Sequence, residues 1–370
     1  MLPFVLVGLA SAVAAFAVTP LVRRLAARFG AIDRPSDRKV HPRPTPTLGG
    51  LGLWVAVLVG LGVAALLPQF RGLYRISSEP LGVALAGTAI VALGAYDDVR
   101  PLSVPVKIAG QALAAGVLML NGVQLLYFWL PGLGVLSLSP DMAVPLTLLW
   151  VVIMINAVNL IDGLDGLAAG VIAIGSLAFF TYALGSGEPI YEGPSPASLF
   201  SAIVIGAALG FLPHNFHPAR IFMGDSGSML LGLVLAAATI SGVGRTDLPT
   251  NTDLAALAIP VIIPLLVLAV PITDVLFAII RRLRRGRSVY APDKEHIHHR
   301  LLEIGHSHRA AVLLMYLWSA LVAASALAIT FVRSRALAIV VLAAVALVLL
   351  GTSVPRMRRA NGRVHDRVRT

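Results

Sequence analysis

There is no cysteine anywhere in the 370 residues, so disulfides and thiolate metal sites are excluded. Charge is scarce as well. Only 13% of the residues are charged, where a soluble chain of this size carries about a quarter. A leader is not evident: no basic n-region or cleavage site precedes the first apolar run, which reads as a span over 1–22. No internal repeat of the kind seen in transporters built from duplicated halves is visible. What fills the space is apolar: 57% hydrophobic residues and a mean hydropathy of +0.86. The expected fold class is therefore all-α, a polytopic integral membrane protein.

Eleven apolar segments are expected, at about 2–22, 49–67, 81–96, 104–121, 143–161, 163–184, 197–213, 226–243, 254–280, 309–331 and 336–353. They form one membrane-embedded domain, 1–353, followed by a basic tail, 354–370. The formal net charge is +11, but its distribution speaks against nucleic acid. Of the 29 Lys and Arg, 24 fall on the odd-numbered connections or the tail. Such a bias puts those segments and the C-terminus in the cytoplasm and the N-terminus outside, with the tail near anionic headgroups.

The hydrophilic stretches fall on the same side: 33–50, 97–107, 156–166, 214–228 and 281–308. One cytoplasmic site assembled from five connections accounts for that agreement. The run Asn156-Ala-Val-Asn-Leu-Ile-Asp-Gly-Leu-Asp-Gly166 interrupts an apolar stretch long enough for two spans. On a helix, Asn156, Asn159, Asp162 and Asp165 would share one face, and polar groups at a membrane lip are costly unless they bind something. Gly163 and Gly166 leave room for a ligand against the backbone.

In the first connection, Arg38, Lys39, His41 and Arg43 precede a proline-stiffened Pro44-Thr-Pro-Thr47-Leu-Gly-Gly50, a pattern suited to phosphate capture. Asp97 and Asp98 are adjacent acids at a helix C-terminus, where both their mutual repulsion and the helix dipole are unfavourable. Arg100 and Lys107 are the candidates to offset them, and Lys107 and Gln111 share a helix face. Gly224-Asp225-Ser-Gly-Ser228 opens a span: Asp225 is placed as an N-cap and as a Mg²⁺ ligand, with the first backbone amides available to phosphate. Phe222 offers a stacking surface. His296, His298, His299 and Arg300 lack zinc spacing and suit a pyrophosphate. His306 and His308 read as surface residues. Asp274, inside the ninth span, either salt-bridges within the bundle or faces the site.

In this order, the motifs resemble the polyprenyl-phosphate N-acetylhexosamine-1-phosphate transferases, a family that includes the phospho-MurNAc-pentapeptide translocase. The pieces that carry the resemblance are Lys39-Val-His41 with 44–50, Asp97-Asp98 with Lys107 and Gln111, 156–166, Asn215 with 218–228, and His296-Ile-His-His-Arg300. The resemblance implies an eleven-span bundle with a cytoplasmic cleft in a bacterial cytoplasmic membrane. It implies Mg²⁺, or Mn²⁺ in its place, held by Asp225 with Asn159. Asp97, Asp98, Lys107 and His298 become the candidate catalytic groups, with the two acids facing the lipid phosphate. Asp165, Asn215, Phe222 and the Gly163-Leu164 turn would hold uridine, and His298 and His299 the diphosphate or sugar. Lys39, Arg43, Thr47, Asn159, Asp162, His296 and Arg300 complete the candidate binding set.

Arg300 stands where the translocase branch has a third histidine, so the pattern is similar to the N-acetylglucosamine branch. The implied reaction transfers N-acetylglucosamine-1-phosphate from UDP-N-acetylglucosamine to undecaprenyl phosphate, giving undecaprenyl-diphospho-N-acetylglucosamine and UMP, the first membrane step of cell-envelope glycan assembly. The alternatives are the MurNAc-pentapeptide donor and, in a different class, a cation-coupled transporter. Oligomeric state, a homodimer included, is left open.

Overall fold

The computed structural model describes residues 1–35, 43–130, 134–185, 194–243, 284 and 307–331. Its helices are α1 (Leu2–Arg28), α2 (Gly49–Leu66), a short α3 (Arg71–Ile76), α4 (Glu79–Val99), α5 (Val104–Leu120), α6 (Pro140–Ile161), α7 (Leu167–Gly185), α8 (Pro196–Asn215), α9 (Gly224–Val243) and α10 (His308–Phe331). Among the described residues eight helices are long and apolar enough to cross a bilayer, and α5 is a shorter apolar helix. The protein is thus a predominantly helical, polytopic membrane protein. The expected spans at 254–280 and 336–353 lie outside the described residues.

Helix starts follow from local sequence. Proline stands in the first turn of α1, α4, α5, α6 and α8, where its missing N–H has no intrahelical acceptor to lose. Ser195 adds a side-chain cap, its Oγ accepting from Ser198 N at 3.2 Å.

Helix α9 is the axis of the bundle. It packs against α2, α4, α6 and α8, and 89% of its membrane-spanning window is buried. A helix apolar on all sides suits that position. Around it α1 lies against α2 and α8, α5 against α4 and α6, and α10 against α7. Lipid is as apolar as leucine, so helix association relies on close packing of small residues. Helices α1 and α8 show this: a Cβ on Gly206 or Gly210 would strike the backbone carbonyls of Gly8 and Ala12. Likewise, a Cβ on Gly232 of α9 would stand 2.7 Å from Ile155 Cα of α6.

Three details depart from the sequence expectation. Two small antiparallel pairs accompany the helices: β1 (Ile32–Asp33) with β2 (Thr45–Pro46), and β3 (Tyr127–Leu130) with β4 (Gly134–Ser137). In the second, Pro131-Gly132 separates two short runs rich in aromatic and branched residues, which favour pairing. Helix α6 ends at Ile161 and α7 begins at Leu167, so the sixth span starts later than expected and 162–166 is a turn. The unanticipated α3 caps the end of the bundle remote from that turn.

Gly206→Val should wedge α1 from α8, destabilising the protein by roughly 1–3 kcal/mol. Gly62 has no heavy atom near its would-be Cβ, so Gly62→Ala should be neutral or stabilising by up to about 1 kcal/mol. Denaturant unfolding in mixed micelles checks both, and equal effects would contradict the packing described.

Candidate active site

The N-terminus of α9 is held by a residue distant in the chain. Asp98, at the end of α4, accepts from Asp225 N (2.8 Å) through Oδ1, and from Ser226 N (3.3 Å) and Ser226 Oγ (2.8 Å) through Oδ2. The first amides of a helix have no intrahelical partner and carry the positive end of its dipole, so a carboxylate there is well placed. This corrects two expectations: Asp225 is not the cap of its own helix, and these amides are occupied by Asp98 rather than free for phosphate. Close approach makes the arrangement accessible. A Cβ on Gly94 of α4 would stand 2.5 Å from Ser226 N, and one on Gly50 of α2 the same distance from Ser226 Oγ.

The first connection is tied to the same place. Gly49 N and Gly50 N, orphan donors at the start of α2, donate to Phe222 O and Met223 O at 3.0 Å, and Phe222 N donates to Pro46 O at 2.8 Å. Gly224 has φ +71°, and a Cβ there would lie 2.6 Å from Thr47 Oγ1 and 2.5 Å from Asp98 Oδ2. Thr47 therefore lines the site, whereas Gly49 and Gly50 serve packing.

The two adjacent acids part ways. Asp97 accepts from Leu102 N at 2.6 Å and pairs with Lys107 Nζ at 2.5 Å, while the same ammonium meets Asp225 Oδ2 at 2.6 Å. Lys107 thus bridges α4, α5 and α9. Arg100, the other expected counter-charge, is exposed. The other oxygen of Asp225 accepts from Asn159 Nδ2 at 2.9 Å, and that nitrogen also reaches Ser228 Oγ at 2.9 Å. Deeper in the bundle, Asn156 Nδ2 donates to Gln111 Oε1 at 2.6 Å.

Asp162 ends α6 and is half-buried. Burial, then the charges of Asp225, Asp98 and Asp165, push its carboxyl up to about 8. Asp97, Asp98, Asp162 and Asp225 thus converge with Lys107 as the ion-paired cation among the described residues. That excess of hard oxygen donors is the chemistry Mg²⁺ or Mn²⁺ takes. Asn159 fits less simply, because its NH₂, not its carbonyl, faces Asp225. As a metal ligand it would have to turn its amide over.

Asp165 leaves the face expected of it. The helix stops at Ile161, so the three-residue repeat does not continue, and Asp165 faces a second cluster. Its Oδ2 accepts from His217 Nδ1 (2.7 Å) and Ala219 N (3.1 Å). Its own N–H donates to His308 Nε2 at 3.2 Å. The rings of His217 and His308 stack with centroids 4.1 Å apart at 14°. His308, expected on the surface, and His217, not singled out at all, are therefore part of this region.

Asp165, His217 and His308 bring potential ligand atoms within 4.8 Å of one another. Stacked imidazoles direct their in-plane lone pairs side by side rather than at a common centre, and His308 Nε2 already accepts a hydrogen bond. The cluster is built for hydrogen bonding. Asn215, buried, spends its amide on the backbone, accepting from Gly166 N at 3.0 Å and donating to Ile221 O at 3.1 Å. It holds the turn instead of presenting itself to a ligand. Gly163 is exposed and Leu164 buried, Phe222 is half-buried beside the site, and Arg43 is exposed. Lys39, His296, His298, His299, Arg300 and Asp274 lie outside the described residues.

The family model for glycosyl transferase family 4 matches residues 80–243. The chain is 42% identical over 365 residues to a decaprenyl-phosphate N-acetylglucosaminephosphotransferase of Mycobacterium tuberculosis, covering 96% of this chain and 90% of the relative. It is 38% identical over 317 residues to a probable undecaprenyl-phosphate N-acetylglucosaminyl 1-phosphate transferase of Bacillus subtilis, covering 86% and 82%. It is 29% identical over 315 residues to the Escherichia coli undecaprenyl-phosphate alpha-N-acetylglucosaminyl 1-phosphate transferase, covering 81% and 77%. The chain belongs to the polyprenyl-phosphate N-acetylhexosamine-1-phosphate transferase family. Among the described residues Lys107 offsets only part of the charge of the acid cluster.

Metal-free protein tests the burial of Asp162 among the other acids. An unfolded Asp releases its proton near 3.8, whereas Asp162 keeps its proton to about 8. The folded state then binds more protons over that interval, so stability falls as pH rises through it and levels off above about 8. Unfolding midpoints in EDTA from pH 6 to 9 should fall for wild type and change less for Asp162→Asn. Parallel curves would contradict the assignment.

Proposed function

We propose that the protein transfers N-acetylglucosamine-1-phosphate from UDP-N-acetylglucosamine to a polyprenyl phosphate, undecaprenyl or decaprenyl, releasing UMP. The site faces the cytoplasm of a bacterial inner membrane. The observation that carries this reading is the triad Asp97–Lys107–Asp225, gathered at one end of the bundle on the seat made by Asp98. Its support from relatives lies in their names, which specify a polyprenyl phosphate and N-acetylglucosamine phosphate transfer.

The chemistry follows from charge. The nucleophile is a phosphate monoester with a second pKa near about 6, so at neutral pH it is mostly dianionic and hardly needs a base. Asp97 then serves to position Lys107 and the incoming phosphate or to accept a residual proton, and a covalent aspartyl intermediate is unnecessary. Lys107, already shared between two carboxylates, can turn its ammonium toward the phosphate oxygens as the lipid arrives. Asp225, with Asp162 and the carbonyl of Asn159, would hold Mg²⁺. When bound, the ion would neutralise charge on the diphosphate oxygens. Asp165 would take the uracil end of the donor. Attack is direct and in line, so a chirally labelled sugar phosphate should be transferred with inversion; retention would require two displacements.

The MurNAc-pentapeptide donor uses the same reaction class, and a screen of UDP-sugars for UMP release separates the two. A cation-coupled transporter is disfavoured by the position of the carboxylates, which lie at one bundle end and not near the membrane midplane at broken helices.

Release of UMP should require UDP-N-acetylglucosamine, polyprenyl phosphate and Mg²⁺ together. Asp225→Asn and Asp97→Asn should each lower turnover at least about a hundredfold, roughly 2.7 kcal/mol of barrier, while the unfolding midpoint moves little. Normal turnover in Asp225→Asn would remove the metal assignment.

A further inference from the structure

The 162–166 turn is fastened from outside by α10, a helix beyond the residues matched by the family model. Two contacts do this. His308 Nε2 accepts the N–H of Asp165 at 3.2 Å. Tyr316 Oη, two turns further along, donates to Gly166 O at 2.5 Å. Gly166 O is also the acceptor for Gly170 N at the head of α7, and Gly170 leaves the space in which the Tyr316 ring lies, since a Cβ there would meet it. Gly166 has φ +81°, a left-handed conformation that glycine adopts without steric cost.

The same helix end steadies the partner of Asp165. His308 stacks on His217, and Arg309 Nε donates to His217 O at 2.9 Å. His217 in turn donates to Asp165 Oδ2, which Ala219 N also reaches. Both of those donors fall on Oδ2. Among the described residues no donor falls on Oδ1, so in a side chain only 10% exposed one carboxylate oxygen is fixed in place with its accepting capacity unspent.

We propose that His308 and Tyr316 are positioning residues for the donor nucleotide: they hold residues 165–166 so that Asp165 Oδ1 can accept the imide N–H of a uracil ring. This rests on the reading of the site given above. Neither residue touches the reacting phosphates. Their loss acts on donor binding and spares both the lipid acceptor and the chemical step. His308 must remain an acceptor at Nε2, which a glutamine carbonyl reproduces and an alanine does not.

The test uses the full-length protein in nanodiscs, with KM measured separately for UDP-N-acetylglucosamine and polyprenyl phosphate, and amide exchange followed across 162–170. H308A and Y316F should raise the donor KM about three- to tenfold, the range expected for one lost hydrogen bond. In both variants kcat and the lipid KM should stay within about twofold, with faster exchange at 165–166. H308Q should return donor KM and exchange close to wild type. The proposal is overturned if H308Q is as impaired as H308A, if the lipid KM rises as much as the donor KM, or if exchange quickens with donor KM unchanged. Should wild-type protein turn over no UDP-sugar at all, the proposed reaction is what fails. UMP affinity by titration then decides the positioning role: a drop in H308A that H308Q repairs supports it, and equal affinities overturn it.

Discussion

The acceptance of two α9 amides and the Ser226 hydroxyl by Asp98 is the contact on which the other features depend. Buried helix ends cannot leave their amides without partners, and in a bilayer the cost of doing so is larger still. Supplying the acceptor from α4 rather than from the local sequence fixes the height and orientation of the central helix against its neighbour. Asp225 then necessarily stands beside Asp97, and Lys107 falls between them. The glycines at 50 and 94 let the backbones approach closely enough for this to happen. Structure and site are therefore one construction: the residue that anchors the axial helix also brings the candidate reactive acids together.

The site is electrostatically unfinished in a way that suits the proposed phosphate-bearing reactants. Among the described residues several carboxylates face one bridging ammonium, and burial together with the neighbouring acids holds the proton on Asp162. A protein without cargo tolerates this because each acid has some compensation: a helix N-terminus for Asp98, a lysine for Asp97 and Asp225, a proton for Asp162, a histidine and an amide for Asp165. A divalent ion would relieve the remaining imbalance, and in the proposed reaction it would also draw in two phosphate-bearing reactants that otherwise repel the site and each other. Asn159, bonded to both Asp225 and Ser228, holds Asp225 from below, and a separate Asn156–Gln111 hydrogen bond ties α6 to α5.

Much of this was legible in the chain. The apolar runs mark the described spans, the bias of Lys and Arg assigns hydrophilic stretches to one side, and Asp97, Lys107 and Asp225 stood out because charges at span ends are costly. Other parts show only in the folded chain, for identifiable reasons. Asp98 as a cap in trans has no local signature, since Gly224-Asp225 looks like a self-capped start. The shared helix face of 156–165 was misread past Ile161, although the dipeptides Asp162-Gly163 and Asp165-Gly166 are turn signals. His308 looked like a surface residue because its partner Asp165 is 143 positions away. Asn215, a candidate for uridine contact by resemblance, spends its amide on the backbone groups of Gly166 and Ile221.

The central claim is that turns remote in sequence meet at one end of the bundle. Because the chain has no cysteine, single cysteines at the exposed positions Arg100, Gly163 and Ser78 can be labelled without background by a membrane-impermeant maleimide in sealed vesicles of known orientation. The account predicts that positions 100 and 163 label from the same side and position 78 from the other. Labelling of 100 and 163 from opposite sides would contradict it.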